Sequence, residues 1–268
     1  MSADERVTQL TSQVLSISTD VDLFDDPGTP QSKALKWLIE EDDLVVCPSS
    51  TNLEQRYILA VFYFETFGPG WSQCTLGTPC DGEEWLSGVD ECQWGGIECG
   101  EGSTVTAIHR DESRLTGGLP TEIGKLTFLV HLDLDSNNMT APMPSTLGQL
   151  LYLETLDLDQ NDMVGSIPDE LYDAVSLRVI DLDGNSLTGT ISSRIGLLPD
   201  LYFVQLDDNS MTGPIPSEIG DLSNLSFFSI FQNNFSGSVP TELCEHETVL
   251  YADCSVCLLD NCCTACLE

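Results

Sequence analysis

Basic residues are scarce in this chain of 268 residues. It has 9 lysines and arginines against 44 aspartates and glutamates, which gives a formal net charge of −35 at pH 7. Because nucleic-acid affinity comes largely from Lys and Arg at phosphates, this balance argues against a nucleic-acid partner. Anionic membrane surfaces are disfavoured for the same reason. The charge instead favours solubility and cationic partners.

Long apolar runs are also missing. The most apolar stretch, residues 57–64, falls well short of the roughly 18–20 residues of a membrane-spanning helix. Residues 1–6 contain no apolar core of the signal-peptide kind. We therefore expect no transmembrane segment in this chain. We also expect that either a targeting segment lies upstream of Met1 or the protein is not secreted by the usual route.

The sequence contains no phosphate-binding glycine loop, kinase catalytic motif or nucleophile elbow. It has three histidines. Two of them, His109 and His131, are expected near Asp111 and Asp133. Two interpretations stay open for this pair: a metal-binding or acid–base pair, and ordinary surface histidines. We expect a protein that is not an enzyme and needs no cofactor.

Asparagine recurs every 24 residues in the second half of the chain, always after an L-x-L core such as Leu156-Asp-Leu158. The series is Asn137, Asn161, Asn185, Asn209 and Asn233. A weaker first copy has Ser113 at the asparagine position. A fixed period of this length indicates a solenoid, in which each L-x-L is a short strand. The asparagine amide can satisfy buried backbone groups in each turn.

Glycine and proline recur after each asparagine, as in Gly165-x-Ile167-Pro168 and Gly213-x-Ile215-Pro216. The whole unit resembles the plant-type leucine-rich repeat, L-x-x-L-x-L-x-x-N-x-L-x-G-x-I-P-x-x-L-G-x-L. The resemblance implies an α/β solenoid, a curved arc with a concave parallel β-sheet. Six 24-residue repeats would occupy residues 105–243, each with a second short strand or turn at its G-x-I-P.

Eleven cysteines flank the repeats, which favours an oxidising compartment. The segment Cys92-x-Trp94-x-Gly96-Ile97-x-Cys99 resembles the N-terminal cap of plant-type repeats. Together with residues 55–64 it resembles algal, diatom-type ectodomains and receptor-like proteins without a kinase. The resemblance implies a disulfide between the first and last residues of that motif. We expect Cys74 and Cys80 to form a second bridge, which leaves Cys47 over.

The chain ends in a second group of cysteines: Cys244, Cys254, Cys257, Cys262, Cys263 and Cys266. The two C-x-x-C pairs are compatible with a zinc site, although the five residues between the pairs are fewer than in the usual zinc motifs. A repeat array needs a terminal cap, so we expect residues 244–268 to form a disulfide-stapled one. Six cysteines allow 15 pairings, among which the sequence does not choose.

The N-terminal part divides in two. Residues 1–28 are polar and acidic and end in a turn signal, so we expect a disordered segment. Residues 29–104 are predicted to form a helical, cysteine-containing cap. Its first helix begins after Thr29-Pro30, and its second spans about 53–66. Arg110 occupies a leucine position of the first repeat, and we expect it to face carboxylates of the cap.

The exposed strand positions carry two rows of aspartates, and aromatic residues follow towards the C-terminal end. The predicted ligand-binding residues are Asp133, Asp135, Asp157, Asp159, Asp181, Asp183, Asp207, Tyr202, Phe203 and Phe231. Neighbouring strands lie about 4.8 Å apart, so like charges on them repel. We predict that the rows bind the Lys and Arg of a basic ligand or, weakly, Ca²⁺.

We interpret the chain as a non-catalytic recognition module, a cell-surface or secreted ectodomain that binds a protein, peptide or glycan on its acidic concave face. Two alternatives stay open: a secreted inhibitor of cell-wall hydrolases, and a structural protein that binds ice, mineral or matrix through a regular threonine row. Candidate N-glycosylation sites are Asn138, Asn224 and Asn234.

Overall fold

The computed structural model describes residues 2–18, 20–245, 248–257 and 263–267. Three helices precede the sheet: α1 (Ala3–Ile17), α2 (Pro30–Glu40) and α3 (Leu53–Glu65). The strands are β1 (Ile97–Cys99), β2 (Val105–His109), β3 (Thr116–Gly117), β4 (His131–Asp133), β5 (Asn138–Met139), β6 (Thr155–Asp157), β7 (Val164–Ser166), β8 (Val179–Asp181), β9 (Ser186–Thr188), β10 (Phe203–Gln205), β11 (Thr212–Pro214), β12 (Phe227–Ser229), β13 (Asn234–Ser236), β14 (Val249–Asp253) and β15 (Ala265–Leu267).

Nine strands form one sheet in the order β1-β2-β4-β6-β8-β10-β12-β14-β15. All neighbours are parallel except β1, which is antiparallel to β2. Equivalent residues pair from repeat to repeat: Leu132 lies opposite Leu156, and Leu156 opposite Ile180. These apolar side chains point inward, because alternate residues of a strand face opposite sides. The predicted solenoid is confirmed.

A second set of short strand pairs, β3–β5, β7–β9 and β11–β13, lies between each ladder position and the first residues of the G-x-I-P segment. The resemblance implied such a strand or turn slightly later, at G-x-I-P itself. A short 3₁₀ turn then closes each coil, for example Asp169–Asp173. The recurring glycine takes a left-handed φ of 82° at Gly213, a region that residues with a Cβ rarely enter. The chain thus turns twice per repeat, and its apolar side chains stay inside the coil.

The asparagine series forms the expected ladder. The Nδ2 of Asn161 donates to the carbonyls of Leu134, Leu158 and Asp159 at 3.0–3.2 Å, and its Oδ1 accepts the N–H of Met139 at 3.0 Å. The same pattern recurs at the other ladder asparagines. One side chain therefore satisfies backbone groups of two adjacent coils, which locks each coil to its neighbour.

The acidic N-terminal segment is ordered, contrary to expectation. Helix α1 carries a capping box at Ser2 and Glu5 and buries Leu10, Val14 and Ile17 in the common core. The prediction was wrong because these three apolar residues are too sparse to stand out in a polar sequence. Helices α2 and α3 occupy the predicted positions, and Thr29 caps α2 as expected. Of the helices in the described part of the chain, none has the length and apolarity that crossing a bilayer requires.

A fully buried arginine joins the cap helices to the loop before β1. Arg56 on α3 donates two hydrogen bonds to Asp42, at 2.7 and 2.9 Å, and one to Glu91 at 3.1 Å. It also donates to the carbonyls of Ser87 and Val89. These bonds use all five N–H donors of the guanidinium. Both carboxylate side chains are also fully buried.

Arg110 faces the cap, but it does not meet carboxylates there. Its guanidinium lies 4.8 Å from the centre of the Trp71 ring and donates to the carbonyl of Gln73 at 2.8 Å. Burial lowers the pKa of Arg110 to about 10. A cation–π contact and a carbonyl thus replace the expected ion pairs.

The predicted N-terminal bridges, Cys74–Cys80 and Cys92–Cys99, are both present. Cys47 is the free cysteine among the described residues. In the C-terminal cap Cys254 pairs with Cys266 and Cys257 with Cys263, so these four cysteines form disulfides and not the alternative zinc site. Cys244 is also disulfide-bonded. Cys262 lies outside the described residues. The cap also adds β14 and β15 to the sheet, an extension that the 24-residue repeat did not predict.

Candidate functional site

Three aspartates of the concave rows come together at the middle of the sheet. Asp157 ends β6, Asp181 ends β8, and Asp159 follows two residues after β6. One carboxylate oxygen from each lies within 4.8 Å of the other two. The Oδ1 atoms of Asp133 and Asp159 are buried and have no hydrogen-bond partner within the described chain. The parallel register of the sheet is what brings these like charges together.

Burial and mutual repulsion raise the pKa values of these carboxyls. The pKa of Asp157 rises to about 6, that of Asp159 to about 7 and that of Asp181 to about 8, mainly through burial and then through the neighbouring aspartates. Both effects disfavour the charged form. The row therefore takes up protons near neutral pH, and it resists full ionisation unless a cation is present.

We expect acidification to stabilise the fold through this row. A carboxyl whose folded pKa exceeds its unfolded value of about 3.9 contributes stability below that value and loses it as pH rises through the folded pKa. Stability should thus fall between about pH 4 and pH 8. Asp159→Asn/Asp181→Asn should raise the free energy of unfolding at pH 8 by roughly 1 kcal/mol after solvent screening, and should change it little at pH 4.

The measurement is urea denaturation of both proteins at the two pH values. A matched control, Asp169→Asn/Glu170→Gln, removes the same charge from an exposed 3₁₀ turn. It should leave stability within about 0.5 kcal/mol of the parent. An equal gain in both variants would show that net charge, and not the concave row, carries the effect.

Aromatic rings continue the concave face beyond the aspartates. Phe203 on β10 and Phe227 on β12 stack face to face, with ring centres 4.6 Å apart and an interplanar angle of 8°. Tyr251 on β14 lies 5.9 Å from Phe227. Tyr251 was missed from the sequence, although Leu250 and Ala252 show the alternation of a further strand. The face is thus acidic at its centre and aromatic towards its C-terminal end.

Two predicted site residues differ from the others in their surroundings. Asp207 is 4% exposed and accepts hydrogen bonds from the Ser229 hydroxyl and the Phe231 N–H, at 2.7 and 2.8 Å. It therefore anchors the aromatic end of the face instead of offering a free carboxylate. Tyr202 lies with its ring 5.8 Å from the guanidinium of Arg178 and lines a separate groove.

The remaining acidic residues are partly engaged. Asp135 accepts from Ser136, and Asp183 accepts from Gln160, both at 2.9 Å. At the N-terminal end His109 lies 3.5 Å from Asp133. The His109 ring also stacks on that of His131, with centres 6.5 Å apart. Among the described residues, the one cluster of three candidate metal-ligand atoms is the aspartate cluster at the centre of the face.

The three candidate glycosylation asparagines are all exposed. Asn138 and Asn234 begin strands β5 and β13. Asn224 donates from its Nδ2 to the carbonyl of Pro199 at 2.8 Å. These side chains are therefore accessible to glycosylation, and their glycosylation stays a prediction.

Comparison with known proteins agrees with this architecture. Residues 127–187 match a family model described as leucine-rich repeat. A search of curated proteins gives no match. The structure is similar to the ectodomain of the Arabidopsis thaliana receptor kinase GASSHO1/SCHENGEN3, solved in complex with CASPARIAN STRIP INTEGRITY FACTOR 2. The sequences are 31% identical, the TM-score is 0.59, and the match covers 62% of this chain and 20% of the receptor chain.

Two further structures are similar. The ectodomain of the Arabidopsis receptor kinase HAESA, in complex with an extended IDA peptide hormone, shares 29% identity with a TM-score of 0.57, over 62% of this chain and 28% of that one. Pollen receptor kinase 3 shares 26% identity with a TM-score of 0.61, over 69% and 89%. The chain thus spans under a third of the length of the first two. The fold is a leucine-rich-repeat solenoid similar to plant receptor ectodomains.

Proposed function

We propose that this chain is a non-catalytic recognition ectodomain that binds a basic peptide along its concave face. The main support for a basic ligand is the row of closely spaced carboxylates that the parallel register of the sheet brings together. Likeness to receptor ectodomains, one of them solved with a peptide hormone, supports the peptide class. The disulfides and the same likeness support an extracellular location.

The electrostatics favour a basic ligand specifically. Repulsion among Asp157, Asp159 and Asp181 destabilises the free protein at neutral pH, and a Lys or Arg nearby relieves it. Ca²⁺ would give weaker relief, because a flat sheet lacks the wrapped six-to-eight-oxygen shell of a strong calcium site. The stacked rings of Phe203 and Phe227 offer an apolar contact beyond the charges.

The dimensions suit a short extended peptide. Strands β4 to β12 are five neighbours, so at about 4.8 Å per step they span roughly 19 Å. An extended chain rises about 3.3 Å per residue, so about six residues cover that distance. Basic side chains would lie over the acidic strands β4–β8, and an apolar side chain over β10–β12.

The first test is the affinity of a lysine–glycine decapeptide ending in leucine. At pH 7.5 and low salt we expect Asp159→Asn/Asp181→Asn to weaken its binding about tenfold, which corresponds to about 1.4 kcal/mol. The difference should shrink at 0.5 M salt, where screening shortens the range of these charges. Isothermal titration calorimetry measures both.

The control variant Asp169→Asn/Glu170→Gln should bind like the parent, since its lost charges lie on an exposed turn. A glutamate–glycine decapeptide should not bind. If both variants bind the lysine peptide equally weakly, net charge and not the concave row determines the affinity. No binding of the lysine peptide to the parent would contradict the proposed function.

A further inference from the structure

A second candidate binding surface begins with two exposed aromatic rings. Phe128 is 55% exposed and Tyr152 is 59% exposed. Their ring centres lie 6.1 Å apart, and the ring planes differ by 4°. Exposed apolar surface of this kind is costly to leave in water when it is contiguous. The two parallel, stacked rings form an exposed apolar platform.

The repeat itself does not require these rings. At the equivalent position of the next three repeats the chain carries Ser176, Asp200 and Asn224. Asp200 and Asn224 are exposed, Ser176 is half-buried, and all three leave the solenoid intact. The aromatic pair is therefore additional to what the fold needs, in contrast to buried leucines nearby such as Leu129 and Leu153.

The platform borders two open grooves. One, of about 460 Å³, is lined by both rings with Thr104, Thr106 and Val130. The other, of about 590 Å³, is lined by Glu154, Ser176, Arg178, Asp200, Tyr202 and Asn224. Tyr152 and Glu154 are two residues apart in the same coil, so the grooves adjoin. We call the two together the lateral groove.

The polar end of the lateral groove carries an ion pair beside an aromatic ring. Arg178 lies 3.3 Å from the carboxylate of Glu154 and 5.8 Å from the centre of the Tyr202 ring. The Ser176 hydroxyl donates to the carbonyl of Leu151 at 2.7 Å. A guanidinium, a carboxylate and a hydroxyl thus stand beside a third aromatic ring.

We propose that the lateral groove binds a neutral oligosaccharide. The C–H-bearing face of a pyranose ring is apolar and slightly positive, so it complements the negative faces of Phe128 and Tyr152. The sugar hydroxyls can both donate and accept, which suits Arg178 together with Glu154. An anionic glycan would meet the −35 charge of the chain, so the neutral class is favoured. This site is separate from the acidic concave face.

The test uses cellohexaose, laminarihexaose and β-1,4-mannohexaose with the parent protein. We expect saturation-transfer NMR to detect at least one of them, with Tyr152→Ala weakening its affinity at least tenfold. Tyr152→Phe keeps the ring and should stay within threefold of the parent. The control variant Leu151→Ala changes a neighbouring side chain that is 53% exposed. It should bind the oligosaccharide with the affinity of the parent. Thermal denaturation of each variant confirms that it is folded.

The concave variant Asp159→Asn/Asp181→Asn should bind the sugar as the parent does, so this proposal can fail or hold independently of the peptide site. No binding of any of the three oligosaccharides would overturn it. Undiminished binding by the folded Tyr152→Ala protein would overturn it too. So would displacement of the sugar by the lysine–glycine peptide, which would place both ligands on one surface.

Discussion

Arg56→Met should lower the free energy of unfolding by about 3–5 kcal/mol. The substitution keeps an apolar side chain between the rings of Trp37 and Trp94, which lie 5.1 and 4.9 Å from the guanidinium carbon. It leaves Asp42 and Glu91 fully buried with no cation between them. An uncompensated buried charge costs far more than the lost packing does.

Two further variants separate charge from geometry. Arg56→Lys keeps the charge but cannot reproduce the five-donor fork, so it should remain destabilising by at least 2 kcal/mol, on the order expected for leaving buried acceptors unpaired. Lys36→Met removes a cation whose side chain is 63% exposed and should cost under about 0.5 kcal/mol. Urea denaturation measures all three. If Arg56→Met costs no more than Lys36→Met, the network does not stabilise the cap.

Asn161→Ala should cost about 2–4 kcal/mol, because it removes all four hydrogen bonds of a ladder side chain. Each buried backbone group left unpaired costs about 1–3 kcal/mol. Asn161 is 6% exposed, so water cannot fully replace the amide. The loss should concentrate between adjacent coils, since the ladder joins one coil to the next.

The matched control is Asn138→Ala, one residue beyond the ladder position Asn137 and exposed. It should change stability by under about 0.5 kcal/mol. Both variants are compared in unglycosylated protein, because Asn138 is also a candidate glycan site. Similar losses in the two would contradict the structural role of the ladder.

The repeat region was predictable because its physics is local and repeated. The L-x-L strands, the asparagine turns and the short strand pairs leading into each G-x-I-P segment recur with the same burial requirement, so one coil predicts the next. The concave rows follow directly, since a parallel register stacks equivalent residues such as Asp157 and Asp181.

The remainder depends on contacts distant in sequence. Arg56 meets Asp42 and Glu91 across 14 and 35 residues, and no local pattern marks such a network. Helix α1 buries few residues, and β14 follows β12 by 22 residues instead of 24. The engagement of Asp207 was not predictable, because its partner Ser229 lies on the next strand. Strand alternation predicts which residues face outward, but not which of them a neighbour engages.

Binding of a basic peptide should place the ligand's cations beside the raised-pKa carboxylates of the concave face. The most direct measurement is the number of protons released when the lysine–glycine peptide binds at pH 7, obtained by calorimetry in two buffers of different ionisation enthalpy. A cation beside Asp159 and Asp181 favours their charged forms, so binding should release protons. The release should be largely lost in Asp159→Asn/Asp181→Asn and retained in Asp169→Asn/Glu170→Gln. Binding without proton release, or release that is unchanged in the concave variant, would contradict this placement.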